Sequence, residues 1–267
     1  MSRMTQLLLE SEWTGLVAGH RRAPDVVQMR LPYGPSEEGL ACAFPIEGKD
    51  GRLYWLKPPH QGEDQDFALA TEYIVGRLGA LIEAPTCPNV VIEIEPAMAG
   101  YEYSRGKILA AGLGHATVEV PAAMLERPNL KFRNQDDNRV RHARIFALWD
   151  WCWGSDQQWL HGATEDNATY SHDHGFFFPP AGWRWTIEEL RRHVDEPHQL
   201  RQSADGLCRG DLVATAEGLE RVDRVALAEV LRRVPQDWPV EDRELEVLGW
   251  FLERRAPAAA ERIRTLI

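Results

Sequence analysis

Apolar positions follow two rhythms along this chain, and the change between them divides it. In the first forty residues short apolar runs are broken by Gly15, Gly19, Pro24, Pro32, Gly34 and Pro35, the punctuation of short strands and turns. Leu40–Pro45 and Arg52–Leu56 read as strands. Between them Gly48-Lys49-Asp50-Gly51 contains the Asp-Gly pair of a tight hairpin. The second strand runs Leu53-Tyr54-Trp55-Leu56-Lys57 and is stopped by Pro58-Pro59, because proline cannot donate to a ladder. A helix is predicted over Asp66–Leu81, with Phe67, Thr71, Ile74, Leu78 and Leu81 on one stripe and Ala68, Glu72, Val75 and Gly79 on the neighbouring face. Asn89–Ile94 reads as a strand, and Lys107–Val120 holds a further extended segment.

After Pro121 the period becomes helical. Val140–Trp153 carries Ile145, Phe146, Leu148, Trp149, Trp151 and Trp153. A polar stretch, Gly154–His172, and the aromatic run Phe176-Phe177-Phe178 follow. Thr186–Val194 opens with the Thr186/Glu189 spacing of a capping box. Val222–Val234 and Glu241–Arg254 are amphipathic helices, and Ala258–Ala260 belongs to a C-terminal one. Strands plus one helix, then mostly helices, predict an α+β fold with two lobes. The boundary is expected between residues 110 and 125. Taken at 115/116, it gives a β-rich N-lobe over 1–115 and a helical C-lobe over 116–267.

Composition narrows the class. The 267 residues are 44% apolar and 27% charged, ordinary for a globular protein and unlike a disordered or collagen-like chain. A net charge of −11 argues against direct nucleic-acid or anionic-membrane binding. Cys42, Cys87, Cys152 and Cys208 are far apart and form no C-x-x-C pair, which fits reduced thiols and a cytoplasmic location. Leu7-Leu8-Leu9 is ended by Glu10 and Glu12, too short an apolar run for a signal peptide, and no segment approaches a membrane span.

Four charged residues stand in a suggestive order: Lys57 at a strand end, Glu72 on the next helix, Asp156 just after an apolar helix, and Asp173 two positions before Gly175. Phosphoryl transfer needs a cation beside the phosphates, an acid to hold that cation, a carboxylate to orient the nucleophile and another to hold Mg²⁺. The segments Arg52–Lys57, Thr71–Leu78, Trp151-Cys-Trp-Gly-Ser-Asp156 and Ser171-His-Asp-His-Gly175 resemble the HipA-like kinase domain family over roughly residues 15 to 255. The resemblance implies a two-lobed protein-kinase-like fold, related to the phosphatidylinositol kinases, using ATP and Mg²⁺. It implies that Lys57 contacts the α/β-phosphates and pairs with Glu72. Asp156 would be the catalytic aspartate, Asp173 would bind metal, and adenine would sit at an interlobe hinge within Leu109–His115. The γ-phosphoryl would pass to a hydroxyl of a protein Ser/Thr or of a small molecule.

The chain departs from the family in three ways. The asparagine expected after the catalytic aspartate is absent from Asp156-Gln-Gln-Trp-Leu-His161, so Gln158 or His161 would substitute as second metal ligand. No clean Gly-rich phosphate loop is seen; Gly15, Gly19 and the Gly34 region are the candidates. The sequence shows no counterpart of the N-terminal subdomain of full-length HipA toxins.

Two other readings stand beside the kinase. A pseudokinase acting as a binding module would explain the missing asparagine. A metal-dependent hydrolase would use His161, His172, His174 and Asp156, since imidazole suits zinc. Against the hydrolase, a His-x-His on an extended segment points both rings to one side and Asp173 to the other. Arg191-Arg192 and Arg254-Arg255 read as solvated helix faces, and Trp159 or Trp183 as candidates to wall a cleft.

Overall fold

The computed structural model describes residues 9–35, 42–127 and 129–267. Its first part is a closed five-stranded barrel. β1 (Val26–Pro32), β2 (Phe44–Gly48) and β3 (Leu53–Lys57) form an antiparallel meander, β4 (Asn89–Ile94) pairs in parallel with β1, and β7 (Gly112–Val118) closes the gap between β3 and β4. The short pair β5 (Glu102–Ser104) and β6 (Lys107–Ile108) precedes β7. The Asp-Gly hairpin forms between β2 and β3 as predicted, but β2 begins at Phe44; residues 40 and 41 of the predicted strand lie outside the described residues. Strand alternation then sorts the side chains. Phe44, Ile46, Tyr54 and Leu56 fill the barrel, whereas Trp55 and Lys57 face out.

Helix α1 (Glu63–Leu81) packs between the barrel and the rest of the molecule. Its first turn holds Glu63, Asp64 and Asp66, favourable at the positive end of the helix dipole. The sequence predicts one apolar stripe; instead every residue from Phe67 to Gly76 is buried. Gly76 permits this close approach. A Cβ there would lie 2.0 Å from Asn89 Nδ2, which donates to the carbonyls of Glu72 and Tyr73 and ties β4 to α1.

The chain leaves the barrel after Val118 and passes through Glu119–Ala122 into β8 (Ala123–Glu126). Helix α2 (Asn138–Trp151) follows. β9 (Trp159–Gly162) and β10 (Ala168–Ser171), in the stretch read as polar, then form a hairpin whose β9 strand pairs with β8, giving a small three-stranded sheet in the order β10-β9-β8. The remaining helices are α3 (Ile187–His193), α4 (Arg209–Arg221), α5 (Arg224–Arg232) and α6 (Asp242–Arg264). α3 is capped by Thr186 Oγ1, which accepts from Glu189 N. α4 is absent from the sequence reading; Gly210 and Gly218 dilute its pattern, and only Leu212, Thr215, Ala216 and Leu219 are buried.

α6 has a Glu241/Glu244 capping box and continues through Pro257, because Phe251, Leu252, Ala256, Ala259, Ala260 and Ile263 keep one face buried. The 3₁₀ turn Glu10–Trp13 docks on this helical lobe rather than on the barrel. Trp13 Nε1 donates to Glu253 at 2.7 Å, and Glu246 Oε1 accepts from the N–H groups of Gly15, Val17 and Ala18. Among the described residues no helix is long and apolar enough to cross a membrane.

Gly76→Ala should gain about 1 kcal/mol of helix propensity but lose more through overpacking, for a net destabilisation of about 1–2 kcal/mol. Urea unfolding at neutral pH measures it, and the double variant Gly76→Ala/Asn89→Ala should be less than additive.

Candidate functional site

Lys57, Glu72 and Asp173 meet although they come from three separate elements. Lys57 Nζ donates to Glu72 Oε1 and, at 2.5 Å, to Asp173 Oδ1. Glu72 is only 3% exposed, and its two oxygens also accept from the backbone N–H groups of His174 and Gly175, each at 2.9 Å. Gly175 keeps that approach close: a Cβ there would lie 3.2 Å from Glu72 Oε1, tighter than most Cβ contacts, and 3.5 Å from Ala68 Cβ. Burial opposes the charge on Lys57, but Asp173 and Glu72 outweigh it and hold the ammonium above its ordinary range. Burial likewise pushes against Asp173, and Lys57 more than compensates, so this carboxyl lies below the usual carboxylate range.

Asp156 follows α2 on the loop Trp153-Gly154-Ser155, with its backbone at a φ of 54°. This loop is held from below. Arg255 is 1% exposed and donates to the C-terminal carbonyls of α2 at Asp150 and Trp151, and the carboxylate of Asp150 also takes Arg262 at 2.7 Å. Reading Arg254-Arg255 as a solvated face is therefore corrected for Arg255, which lies over the rings of Trp153 and Phe251. The hairpin β9–β10 links Asp156 to Asp173 and is pinned to α2 by a directional relay. Arg133 Nε donates to His142 Nδ1, and the remaining His142 nitrogen, Nε2, meets Thr169 Oγ1 at 3.0 Å. Thr169 Oγ1 in turn meets His161 Nδ1 at 3.1 Å.

Gln158 is brought between the two aspartates. Its Nε2 donates to Asp156 Oδ2 at 2.5 Å and to Asp173 Oδ2 at 2.6 Å, while its Oε1 accepts from Arg127. Sequence reasoning missed Arg127; it lies just after β8, in a stretch with no recognisable motif. His161, the other candidate to replace the asparagine, is fully buried at the end of the relay, edge-on to Phe132, and does not line the cleft. The hydrolase set is likewise not assembled. His174 turns inward to Ser171 Oγ at 2.9 Å, and among the described residues no group of three His, Cys, Asp or Glu is placed to hold a metal ion. His172 does share the cleft with Asp173, because Asp173 has a φ of 58° and breaks the expected alternation. Burial lowers His172 to about 4 and His174 to about 3.

These groups line a cleft of two connected parts. One, of about 400 Å³, holds Lys57, Glu72, Asp156, Gln158 and Asp173, with Trp183 on its wall braced edge-on by Phe176. The other, of about 300 Å³, is lined by Val118, Val120, Ala123, Leu125 and Leu160, with His115 and Thr117 from β7. Trp159, by contrast, is core. Of the segment expected to hold the hinge, Leu109 is in the barrel core and His115 is in mid-strand opposite Lys57; the chain passes from β7 to β8 through Glu119–Ala122. Of the phosphate-loop candidates, Gly15 and Gly19 lie in the N-terminal segment packed against the helical lobe. Gly34 follows β1 at the start of the connection to β2, whose residues 36–41 are outside the described residues. Cys42 and Ala43, at the end of that connection, line the cleft.

No family model matches the chain. No curated protein matches it either. Solved structures do. The proinflammatory kinase CtkA of Helicobacter pylori superposes with a TM-score of 0.59 at 12% identity, covering 91% of this chain and 99% of that one. Two structures of the Golgi casein kinase, one with Mn/ADP bound, superpose with TM-scores of 0.48 and 0.47 at 12% identity; they cover 96% of this chain and 75% and 76% of theirs. At such identity the likeness to CtkA shows the fold alone, a two-lobed protein-kinase-like α+β architecture.

Glu72→Gln should destabilise the protein by about 3–5 kcal/mol by leaving the Lys57–Asp173 cluster without its buried partner, measured by chemical unfolding. His142 gives a pH test. Burial lowers its imidazole from 6.5 to about 3, so between those values the unfolded chain binds a proton that the native state does not. Stability therefore falls as pH drops through that window. His142→Asn should flatten the dependence by up to about 1.4 kcal/mol per pH unit between pH 6 and 4.

Proposed function

We propose that this protein is an ATP-dependent phosphotransferase of the HipA-like kinase type, passing the γ-phosphoryl group to a hydroxyl. The observation that carries the reading is the Lys57–Glu72–Asp173 cluster at the mouth of a cleft between the lobes. An ammonium fixed by a buried carboxylate is a pre-oriented cation for phosphate oxygens, and it costs no reorganisation when charge develops there. The apolar part of the cleft, of about 300 Å³ and lined by Val118, Val120, Ala123, Leu125 and Leu160, would take the purine ring.

The donor set fits a hard divalent cation. Asp173 and Asp156 supply carboxylate oxygens, and Gln158 supplies an amide oxygen once its side chain turns. Mg²⁺ bound with ATP would add charge neutralisation beside the phosphates. Asp156 accepts the proton of the attacking hydroxyl, Lys57 holds phosphate oxygens, and Arg127 offers a second cation from the opposite wall, where Asp156-Gln157-Gln158 carries no lysine. One observation favours a pseudokinase instead. The amide nitrogen of Gln158, not its oxygen, faces both aspartates, and Arg127 occupies the oxygen. That reading predicts nucleotide binding without turnover.

Thermal unfolding with ATP and Mg²⁺ tests both readings. Binding to the folded state alone adds about 2.7 kcal/mol at a hundredfold excess over Kd. The shift should require Mg²⁺ and vanish in Asp173→Ala. Asp156→Asn should retain it and lower turnover by about 10²–10⁴-fold. A shift without any turnover in the wild type selects the pseudokinase; no shift at millimolar nucleotide removes the nucleotide site.

A further inference from the structure

A second hollow of about 740 Å³ adjoins the cleft and shares with it Asp156 and Arg127. Its floor is fixed. The ring of His198 stacks on Trp153 at 4.3 Å and 16° and lies parallel to Trp149 at 6.4 Å and 9°, and its Nε2 meets the carbonyl of Gly154 at 2.7 Å. Its walls carry two exposed guanidinium groups, Arg127 and Arg201. Neither forms an ion pair among the described residues: Arg127 donates to the neutral amide of Gln158, and Arg201 has no polar partner. The remaining polar lining includes Gln157 and Gln199, and among the described residues Asp156 is its single carboxylate. In a chain of net charge −11, this hollow reverses the local sign.

We propose that the hollow is the acceptor site and takes a hydroxyl compound bearing an anionic group, carboxylate or phosphate, close to the hydroxyl that is phosphorylated. The inference rests on the phosphotransferase reading and names its substrate class. A guanidinium binds either anion through paired N–H bonds, so Arg201 and Arg127 would hold the charged group. The hydroxyl would then lie at the junction, beside Asp156. There the acceptor O–H gives its proton to Asp156 and its oxygen bonds to the γ-phosphorus. The bond from that phosphorus to the β–γ bridging oxygen breaks, and the electron pair leaves with ADP. An acceptor with a basic group beside its hydroxyl would meet two like charges, which disfavours it.

The test uses the full chain, labelled ATP and Mg²⁺ with two panels of acceptors. One is serine peptides flanked by Glu, Ala or Lys; the other is glycerol 3-phosphate against glycerol. The anionic member of at least one panel should show a kcat/KM about tenfold or more above its neutral twin, and the panel that responds tells peptide from small molecule. Arg201→Glu should abolish or reverse the preference while keeping the thermal shift with ATP and Mg²⁺, which also certifies its fold; Arg201→Gln is the milder second variant. Equal labelling of the twins, ATP hydrolysis with no anionic acceptor labelled, or a preference that survives both variants would overturn the proposal. If the wild type neither hydrolyses ATP nor is stabilised by it, the phosphotransferase reading itself has failed, and this inference falls with it.

Discussion

A carboxylate removed from water is tolerable only where other groups replace its lost hydration. Glu72 meets that condition with groups from two other parts of the chain, the ammonium of Lys57 on β3 and the N–H groups of His174 and Gly175 beyond β10. One buried oxygen pair thus obliges a helix, a barrel strand and a segment of the helical lobe to meet at a point. Much of the surrounding architecture serves that meeting. Asn89 ties β4 to the carbonyl of Glu72 itself, and Gly76 and Gly175 remove side-chain volume where the backbones converge. The lysine is charged and aimed because the carboxylate beside it cannot leave.

The other half of the site is organised by a different means. Asp156 is exposed, and its position comes from the C-terminal end of α2, whose last carbonyls are bound by the buried Arg255. The Arg133–His142–Thr169–His161 relay then fixes the hairpin that runs from Asp156 to Asp173. Positive charge at a helix C-terminus is favourable by itself, and in a buried setting its directional hydrogen bonds also set the geometry of the loop that follows.

The legible parts of the sequence were those with a strong local period. The strand ending on Lys57, the helix carrying Glu72 and the strand Asn89–Ile94 were readable, because alternation and helical spacing reflect burial directly. The resemblance and an Asp-x-Gly pattern singled out Asp156 and Asp173, and the structure brings both to one cleft. What stayed hidden depends on contacts distant in sequence. Arg255 looks like a surface charge until Asp150 and the end of α2 are placed over it. Arg127 sits in a featureless stretch, and its position depends on β8 pairing with β9. The small sheet escaped notice because strands of four residues with polar connections carry almost no periodic signal.

The enclosure of α1 limits how this protein could be controlled. A helix with one solvent-facing side can rotate outward and carry its glutamate away from the lysine, a common way for a two-lobed fold to disassemble its site. Here rotation would return Phe67, Ile74 and Leu78 to water, at about 1.5–3 kcal/mol for each side chain, and would part Glu72 from its ammonium, leaving Lys57 with Asp173 alone. Together those costs rival the net stability of an ordinary domain, about 5–15 kcal/mol. The ion pair is therefore held by the packing of α1, and the cleft is left open at its rim, where Arg127 and Trp183 line it.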